Sequence, residues 1–409
     1  MDKNDSTFPV WFLDVRGSGF SAQAKSWQHR INAKTKEIFN NITTDWKEPV
    51  LIKSHIGEPR CSTRMLPEYC LSSVDYLRGM GFNRICCGDS TVIYSGERGR
   101  KENIPGSPQR YLKLAKSHGW DEDGPLKVPF IILDRPETCI KGLFEFNEEE
   151  VSLLTHPPNR FKETFVAGGF HVAGSILNHV HLTLHDMAHL ACAVKGLTMG
   201  GASARGKQMM HQFYIPFINR ELCLGCGICI ENCPEDALIF DQEGLPYLLE
   251  AKCIGCGECV AVCSNSCIQM ESKEVLDWFR GKTTLPYRMA DYLVGMMENR
   301  WSRLLNIVHL YNITRSCDCI DESQEPMIND IGFLIGQNPF AIDFLARRLI
   351  IEGFQNKAVQ ENMTFEAFME TSEDAKFFFE NDPGIAPYEY VEEKFHIPSQ
   401  VELIRIDMT

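Results

Sequence analysis

Two closely spaced groups of four cysteines constrain the fold of this chain more than any other feature. The first group is Cys223, Cys226, Cys229 and Cys233, and the second is Cys253, Cys256, Cys259 and Cys263. Both have the spacing C-x2-C-x2-C-x3-C, so the same cysteine pattern occurs twice. Three thiolates at this spacing can bind three irons of one cubane, and the fourth can reach a neighbouring cubane.

This arrangement is that of bacterial ferredoxins with two 4Fe-4S clusters, in which the fourth cysteine of each run binds the other cluster. We therefore predict two 4Fe-4S clusters as cofactors. One is expected on Cys223, Cys226, Cys229 and Cys263, and the other on Cys253, Cys256, Cys259 and Cys233.

The residues between and after the cysteines agree with iron–sulfur binding, because chain that wraps tightly around a cluster needs residues that tolerate positive φ. These residues are Gly225, Gly227, Gly255 and Gly257, and Pro234 follows the first run as in the bacterial pattern. Ser264 takes the corresponding place after the second run. A zinc site or a set of disulfides is the alternative, but zinc ribbons use paired C-x2-C units with a long gap between them.

Composition limits the class of protein. A length of 409 residues suggests two or three domains, and the net charge of −14 argues against a nucleic-acid surface. We expect a cytoplasmic protein without a membrane segment, because the start lacks a secretory pattern and no apolar run approaches about 18 residues. The nine cysteines outside the two runs are expected to be reduced thiols in a reducing, oxygen-poor environment.

Short apolar segments alternate with helical ones outside the cysteine-rich region. Strands are predicted at residues 10–16, 50–56, 84–90, 128–134 and 175–182, with a helix at 67–80. This alternation predicts an α/β fold with a mostly parallel sheet and flanking helices, in which ligands bind beyond the carboxyl ends of the strands. Further strands are predicted at 305–314 and 330–336, the latter as the last core strand, followed by a helix from Asn338.

The cysteine runs interrupt this alternation and divide the chain. We predict residues 1–214 as the first part of the α/β domain and 215–275 as an inserted two-cluster ferredoxin-like domain. Residues 276–409 are the predicted second part of the α/β domain, in which the acidic and aromatic segment 355–409 forms one or two helices.

Polar residues that follow the predicted strands are candidates for a binding site at the sheet edge. They are His55, Glu58, Arg64, Asp89, Ser90, Thr91, Tyr94 and Arg98. The alternative is that each of them caps a helix or forms a surface pair, since Ser, Thr and Asp are common N-caps.

Three histidines and a glycine-rich stretch lie further along the chain. If residues 181–195 are helical, His181, His185 and His189 share one face, which allows either a metal site or ordinary core packing. The stretch that follows contains residues that could bind an anion, although it matches no P-loop pattern. These residues are Lys195, Ser203, Arg205, Lys207 and His211.

Cys317 and Cys319 flank Asp318 near the end of a predicted strand. In an extended chain their sulfurs would point to the same side, as a pair of metal ligands or redox thiols requires. Asp318 would then point away and fix the loop. The alternative is that both cysteines are small buried core residues.

Several of these segments carry a family resemblance that covers nearly the whole chain. They are residues 52–58, 67–68, 89–96, 181–185, 193–200, the two cysteine runs, 317–319, 330–332 and 338–343. In them the chain resembles the iron–sulfur members of the family called domain of unknown function 362. The resemblance implies an α/β domain with an inserted ferredoxin module. Thr183 and Gly196 stand where the family commonly has a lysine and an asparagine, which puts a substrate role of those positions in doubt.

The resulting hypothesis is an iron–sulfur redox protein whose clusters deliver low-potential electrons to a pocket in the α/β domain, as in a reductase or reductive activator. The candidate catalytic residues are His55, Glu58, Asp89, His185, Lys195, Cys317 and Cys319. No G-x-G-x-x-G follows a predicted strand, so we expect electrons to be exchanged with a redox partner protein, and a small molecule to be the substrate. The alternatives are an electron-transfer subunit that docks on a partner enzyme, and a non-catalytic iron–sulfur scaffold or sensor.

Overall fold

An eight-stranded sheet forms the centre of the protein. The computed structural model describes residues 9–22, 26–42, 45–93, 96–99, 107–211, 216–233, 235–253, 258–265, 267–270, 285–297 and 300–408. Its strands are β1 Val10–Asp14, β2 Val50–Ser54, β3 Ile85–Asp89, β4 Phe130–Ile132, β5 Glu150–Leu154, β6 Glu163–Ala167, β7 Ser175–His181, β8 Thr183–His185, β9 His189–Ala191, β10 Pro216–Ile218, β11 Leu238–Phe240, β12 Pro246–Leu248, β13 Ile268–Met270, β14 Leu304–Leu310, β15 Gly332–Gly336 and β16 Leu403–Asp407. The central sheet has the order β16-β1-β15-β14-β7-β2-β3-β4.

Helices cover both faces of this sheet, so its inner strands are buried along their full length, as parallel sheets require. The helices are α1 Ser26–Phe39, α2 Leu71–Gly79, α3 Ser107–Ser117, α4 Gly168–Val172, α5 Ala193–Gly201, α6 Ala204–His211, α7 Ile228–Glu231, α8 Glu258–Ala261, α9 Leu285–Met297, α10 Pro339–Gln360, α11 Phe365–Thr371, α12 Glu373–Asn381 and α13 Ala386–Phe395. No helix among these described residues is long and apolar enough to cross a bilayer.

The mostly parallel sheet with flanking helices confirms the α/β part of the predicted fold class. Five neighbouring strand pairs in the sheet are parallel, and only β15 runs against its two neighbours, β1 and β14. This strand was correctly predicted as the last core strand, because the later strand β16 lies at the sheet edge and is only half-buried. The central position of β15 buries all five of its residues.

The prediction of one or two helices for residues 355–409 was wrong. α10 extends into this segment, three further helices follow, and the chain ends in β16, which pairs parallel with β1 at the sheet edge. Only one face of an edge strand packs on the domain, and the exposed residues of β16 accordingly alternate with half-buried ones. That alternation was visible in the sequence from Leu403 to Asp407 but is short.

The start of α10 follows from its sequence, as predicted. Asn338 caps the helix because its side-chain oxygen accepts hydrogen bonds from the backbone N–H groups of Phe340 and Ala341. Pro339 occupies the first turn, where no N–H is needed. One turn later the Asp343 carboxylate accepts hydrogen bonds from the N–H groups of Ala193 and Val194, which fixes the start of α5 against α10.

The cysteine-rich segment forms small elements apart from the central sheet. β10 pairs with β13 and β11 pairs with β12, both antiparallel, and the short helices α7 and α8 each carry one cysteine of a run. Its apolar residues form their own core, which shares no residue with the three cores around the central sheet. Because Pro216 of β10 pairs with Met270 of β13, the first and last strands of the segment lie side by side.

Candidate functional site

A cavity of about 730 Å³ opens where the carboxyl ends of β2, β3 and β7 meet. Parallel strands gather the loops that follow them at one edge, so residues far apart in sequence become neighbours. The cavity brings together all seven candidate catalytic residues: His55, Glu58, Asp89, His185, Lys195, Cys317 and Cys319. Ser90, Thr91, Arg98, Lys207 and His211 also line it.

Cys317 has a lowered pKa, whereas the pKa values of Cys192 and Cys319, which line the same cavity, are raised. The Cys317 sulfur lies 3.3 Å from the Lys195 ammonium nitrogen and accepts a hydrogen bond from the backbone N–H of Cys319 at 3.3 Å. The Cys319 thiol donates to the same sulfur, and this hydrogen bond with the Lys195 charge lowers the pKa of Cys317 to about 6, although burial opposes the shift. Cys317 is therefore the thiolate of the pair, and Cys319 keeps its proton.

The sequence suggested that the two cysteines lie in extended chain, but they do not. Residues 317–320 form a turn in which the Ile320 N–H donates to the Cys317 carbonyl. The turn still places both sulfurs on the cavity, because the Cys319 N–H and thiol fold back onto Cys317.

Asp318 holds this turn in place, which was the role expected for it. Its carboxylate accepts hydrogen bonds from the Cys61 thiol at 3.3 Å and from His181 Nδ1 at 2.8 Å. Nε2 of His181 donates to the Tyr311 carbonyl at 2.6 Å, so both ring nitrogens act as donors. Burial lowers the pKa of His181, but the Asp318 carboxylate outweighs this effect and raises it. His181 is thus an imidazolium that cannot bind a metal ion.

Residues 181–192 are not helical and α5 begins only at Ala193, so the predicted histidine face does not exist. β8 and β9 form a hairpin in which His185 pairs with His189, and His181 ends β7. Nε2 of His189 lies 3.2 Å from the Asp382 carboxylate, away from the other two histidines. The physical reason is that polar and apolar side chains alternate in the sequence at residues 181–185, as they do in a strand, which a helical reading overlooks.

His185 and the two cysteines are close enough to suggest a metal site. One ring nitrogen of His185 and both sulfurs lie within 4.8 Å of one another. However, Nδ1 of His185 accepts the backbone N–H groups of Met187 and Ala188, both at 3.1 Å. The neutral ring therefore carries its proton on Nε2, whereas a metal-bound histidine needs one nitrogen as ligand and the other as donor. The ring is better suited to donate a hydrogen bond into the cavity.

His55 is presented to the cavity in the same way. Its Nδ1 accepts the Gly57 N–H at 3.0 Å, and Gly57 can turn back toward the ring because its φ is +76°. Burial and the nearby Arg98 hold the pKa of His55 well below its usual value. Burial and the Lys195 charge have the same effect on the pKa of His185. Both histidines are neutral donors at physiological pH.

A buried chain of ion pairs forms the opposite wall. Glu58 accepts from Arg98 Nε at 2.7 Å, and Asp89 lies 3.3 Å from Arg98 Nη1 and 3.4 Å from the Lys53 ammonium. All four side chains are at least nine-tenths buried, so each charge depends on its partner. Lys53 was missed from sequence, although a lysine inside the apolar strand β2 was a usable signal.

The remaining candidates have other contacts. Ser90 accepts from Lys207, and Thr91 donates to Asp134, so both help to build the cavity wall. Ser203 and Arg205 contact Glu150 instead, which leaves the proposed anion site without two of its members. Arg64 donates to the Cys61 carbonyl, and Tyr94 lies outside the described residues.

Gly196, which follows Lys195 on α5, has little room for a side chain. A Cβ at this position would lie 2.6 Å from Val180 Cγ2 and 3.1 Å from the Asn178 side chain. An asparagine would therefore collide with β7 unless the helix moved. The neighbouring residue Lys195 is the one by which the start of α5 contacts the Cys317 sulfur.

Six cysteines of the two runs pack together in the core of their segment, namely Cys223, Cys229, Cys233, Cys253, Cys259 and Cys263, whereas Cys226 is exposed. The Cys267 thiol, which sequence analysis had not selected, lies 3.4 Å from the Cys263 sulfur and also bonds to Cys223. The last cysteine of the second run is therefore a neighbour of the first cysteine of the first run. Cys256, with Pro234, Gly255 and Gly257, lies outside the described residues.

The cysteine-rich segment reaches the cavity directly. Val260, which follows Cys259 on α8, is one of the residues that line it. Because the side chain of a single residue spans only a few ångströms, the second cysteine run borders the site that holds Cys317.

Comparison with known proteins gives a family and no function. No curated protein matches the chain. The profile of the family described as "Domain of unknown function (DUF362)" matches residues 50–348, which include the cavity and the whole cysteine-rich segment. The chain therefore belongs to the DUF362 family.

Proposed function

We propose that the protein is an iron–sulfur oxidoreductase in which two 4Fe-4S clusters deliver low-potential electrons to the cavity. Residues 215–275 would be a two-cluster ferredoxin domain inserted between residues 1–214 and 276–409 of the α/β domain. The observation that carries the proposal is the position of Val260 on the cavity wall, directly after the cluster ligand Cys259. An electron leaving the second cluster would then enter the cavity without crossing the α/β domain.

The packing of the cysteines supports the exchange of ligands between the two runs. Cys223 and Cys263 share Cys267 as a neighbour, as expected if they bind one cluster. Gly225 and Gly227 both have positive φ, the backbone that lets chain turn tightly around an inorganic cluster. The Cys233 sulfur accepts the Ala237 N–H, the kind of hydrogen bond that tunes a cluster's potential.

A second candidate is an electron-transfer subunit, and one observation favours a protein partner. Large apolar side chains are exposed on the cysteine-rich segment: Phe217, Leu222, Leu224, Ile228, Ile239, Phe240 and Tyr247. A concentration of exposed apolar residues is typical of a docking surface. We propose that a redox partner protein docks here, beside the first run. This surface suits both candidates, and the perturbed thiolate in the cavity favours the oxidoreductase.

The first test is the metal content after anaerobic purification. We expect about eight irons and eight acid-labile sulfides per chain, as two cubanes require. A finding of zinc, or of about four irons only, would contradict the proposal. Electron paramagnetic resonance of the reduced protein would identify the cluster type.

The ligand assignment is tested with Cys233→Ser. This variant is expected to lose one cluster, so that the iron content falls to about four per chain. The thiols of Cys253, Cys256 and Cys259 should then react with an alkylating agent, which peptide mass spectrometry can locate. Cys139→Ser is the matched control, because Cys139 lies outside the runs and bonds to Phe146. Alkylation of Cys223, Cys226 and Cys229 instead would overturn the exchange of ligands.

A further inference from the structure

We infer that Cys317 and Cys319 form a dithiol–disulfide centre that reduces the disulfide bond of a small molecule bound in the cavity. Cys317 is the attacking thiolate and Cys319 the resolving thiol. The inference rests on the proposed function for its supply of electrons, but the thiol chemistry itself does not require the clusters.

The contacts of the Cys317 sulfur distinguish it from an inert buried cysteine. Three donors converge on it: the Lys195 ammonium, the Cys319 N–H and the Cys319 thiol. Hydrogen bonds from a charged group and from backbone stabilise a thiolate over a thiol. By contrast, the buried thiols of Cys70 and Cys192 have pKa values raised by burial, as expected of structural cysteines.

The other charged and titratable groups around this sulfur come from every neighbouring element. They are Lys195 on α5, His185 on β8, His181 at the end of β7, Asp318 and Cys319 in the same turn, and Arg98. Asp318 is paired with His181, and Arg98 is paired with Glu58 and Asp89. The Lys195 ammonium is therefore the charge that pairs with the Cys317 thiolate.

The reaction balances in two exchange steps. The Cys317 thiolate attacks one sulfur of the substrate R–S–S–R, a bond forms between Cys317 and that sulfur, and the other leaves as R–S⁻. Cys319 then loses its proton and attacks Cys317, which releases the second R–S⁻ and forms the Cys317–Cys319 disulfide. The two thiolates leave as thiols after taking up two protons, one of them from Cys319.

The centre is restored by reduction. The Cys317–Cys319 disulfide takes up two electrons, which the two proposed clusters would supply, and one proton, which returns it to a thiolate and a thiol. Lys195 stabilises the thiolate as it forms, because the ammonium lies 3.3 Å from the Cys317 sulfur. The neutral His185 ring, which carries its proton on Nε2, is placed to donate to a departing thiolate.

The geometry fits this role better than a metal site. A disulfide needs two sulfurs close together, and the Cys317 and Cys319 sulfurs lie within 4.8 Å of each other. A metal site would need Nδ1 of His185 to give up two backbone hydrogen bonds or act as ligand in their place. The cavity of about 730 Å³ also has room for a small disulfide.

The test uses the intact, anaerobically purified protein and 5,5′-dithiobis(2-nitrobenzoate), a disulfide whose released thiolate is coloured. We expect a fast release of about two thiolates per chain, with a Cys317–Cys319 disulfide identified by mass spectrometry. Cys319→Ser should release about one and keep a mixed disulfide on Cys317. Cys317→Ser should lose the fast phase, whereas Cys139→Ser should keep it.

The coupling to the clusters is tested separately. When the clusters have been reduced by dithionite and the excess removed, the same disulfide should reoxidise them in the native protein. Cys317→Ser should slow this reoxidation at least tenfold with the iron content unchanged. Reoxidation at the native rate, or a metal ion that is lost on replacing both cysteines, would overturn the inference. If the protein holds no iron but the fast release on Cys317 remains, the proposed function fails and the dithiol centre stands.

Discussion

Cys317 owes its properties to three residues that are distant from it in sequence. Lys195 lies on α5, Asp318 is held by His181 from β7, and Cys61 anchors the same carboxylate from the loop after β2. The residue types were visible in the sequence, and the sheet edge was a sound prediction for their meeting place. The partners of each side chain could not be predicted, because they depend on hydrogen bonds formed only after the turn at 317–320 has folded.

Lys195→Met tests the thiolate directly. The variant removes the charge next to Cys317 while keeping a side chain of similar length, and a hydrogen bond to a charged group is worth about 1.5–3 kcal/mol. We therefore expect the alkylation of Cys317 at pH 7 to slow by roughly two- to fifteenfold, since 1.36 kcal/mol corresponds to one pKa unit and the native thiol is already mostly ionised at this pH. In the variant, the alkylation rate should reach half of its maximum at a higher pH than in the native protein. Half-maximal reactivity of the native protein is expected near pH 6.

Lys207→Met is the matched control for this variant. Lys207 lines the same cavity, but it donates to Ser90 and to the Ala202 carbonyl. Its replacement should leave the pH profile of Cys317 alkylation unchanged. Equal slowing in both variants would mean that the general charge of the cavity, and not the contact with Lys195, controls the thiolate.

The position of α5 depends on a contact between two helices that are far apart in the chain. The Asp343 carboxylate on α10 accepts hydrogen bonds from the first two backbone N–H groups of α5. These belong to Ala193 and Val194, the two residues that precede Lys195. The sequence predicted α10 from its Asn-Pro start, yet it contained no sign that a side chain from this helix would cap another one. The hairpin of β8 and β9 was missed for a related reason, because strands of three residues carry too short a pattern to exclude a helix.

Asp343→Ala is expected to weaken this contact. Two buried N–H groups would lose their acceptor, which costs roughly 1–3 kcal/mol for each unsatisfied group. Urea unfolding should therefore show a clear fall in stability, and Asp343→Asn, which keeps an acceptor oxygen, should lose less. Equal losses in the two variants would argue that the carboxylate does not act as the cap of α5.

The same residue predicts a pH dependence. Burial raises the pKa of Asp343 to about 7, although hydrogen bonds from Cys192, Val194 and Ala193 oppose the shift. Between about pH 4, near the ordinary value for Asp, and pH 7 the folded protein holds this proton more firmly than the unfolded chain. Stability contributed by Asp343 is thus greatest below pH 4 and falls as pH rises to 7. Asp343→Asn should show a smaller fall across this range when the urea midpoints are compared.

The cysteine-rich segment and the α/β domain have separate apolar cores, which is the physical basis for the predicted domain division. The predicted boundaries of this segment, residues 215–275, rest on its cysteine spacing, which is the pattern of two-cluster ferredoxins. Its place beside the cavity could not be predicted, since the spacing says nothing about how the segment packs on its neighbours. That packing depends on α8 and on the start of α9, where Leu285 is buried against the cavity.

Excision of the cysteine-rich segment tests this division. α6 ends at His211 and α9 begins at Leu285, and Arg288 donates to the Met209 and Met210 carbonyls, so the two helix ends are adjacent. A short Gly/Ser linker in place of residues 214–282 should therefore leave the α/β domain folded and free of iron. Its thermal midpoint should fall by only a few degrees, since about 1 kcal/mol corresponds to roughly 2–4 °C in a domain of this size. Excision of residues 362–384 is the control, because Phe368, Ala375 and Phe378 belong to the core around β14 and α10, and their loss should abolish cooperative unfolding. If the first excision also abolished it, the cysteine-rich segment would be an integral part of the α/β fold and not an inserted domain.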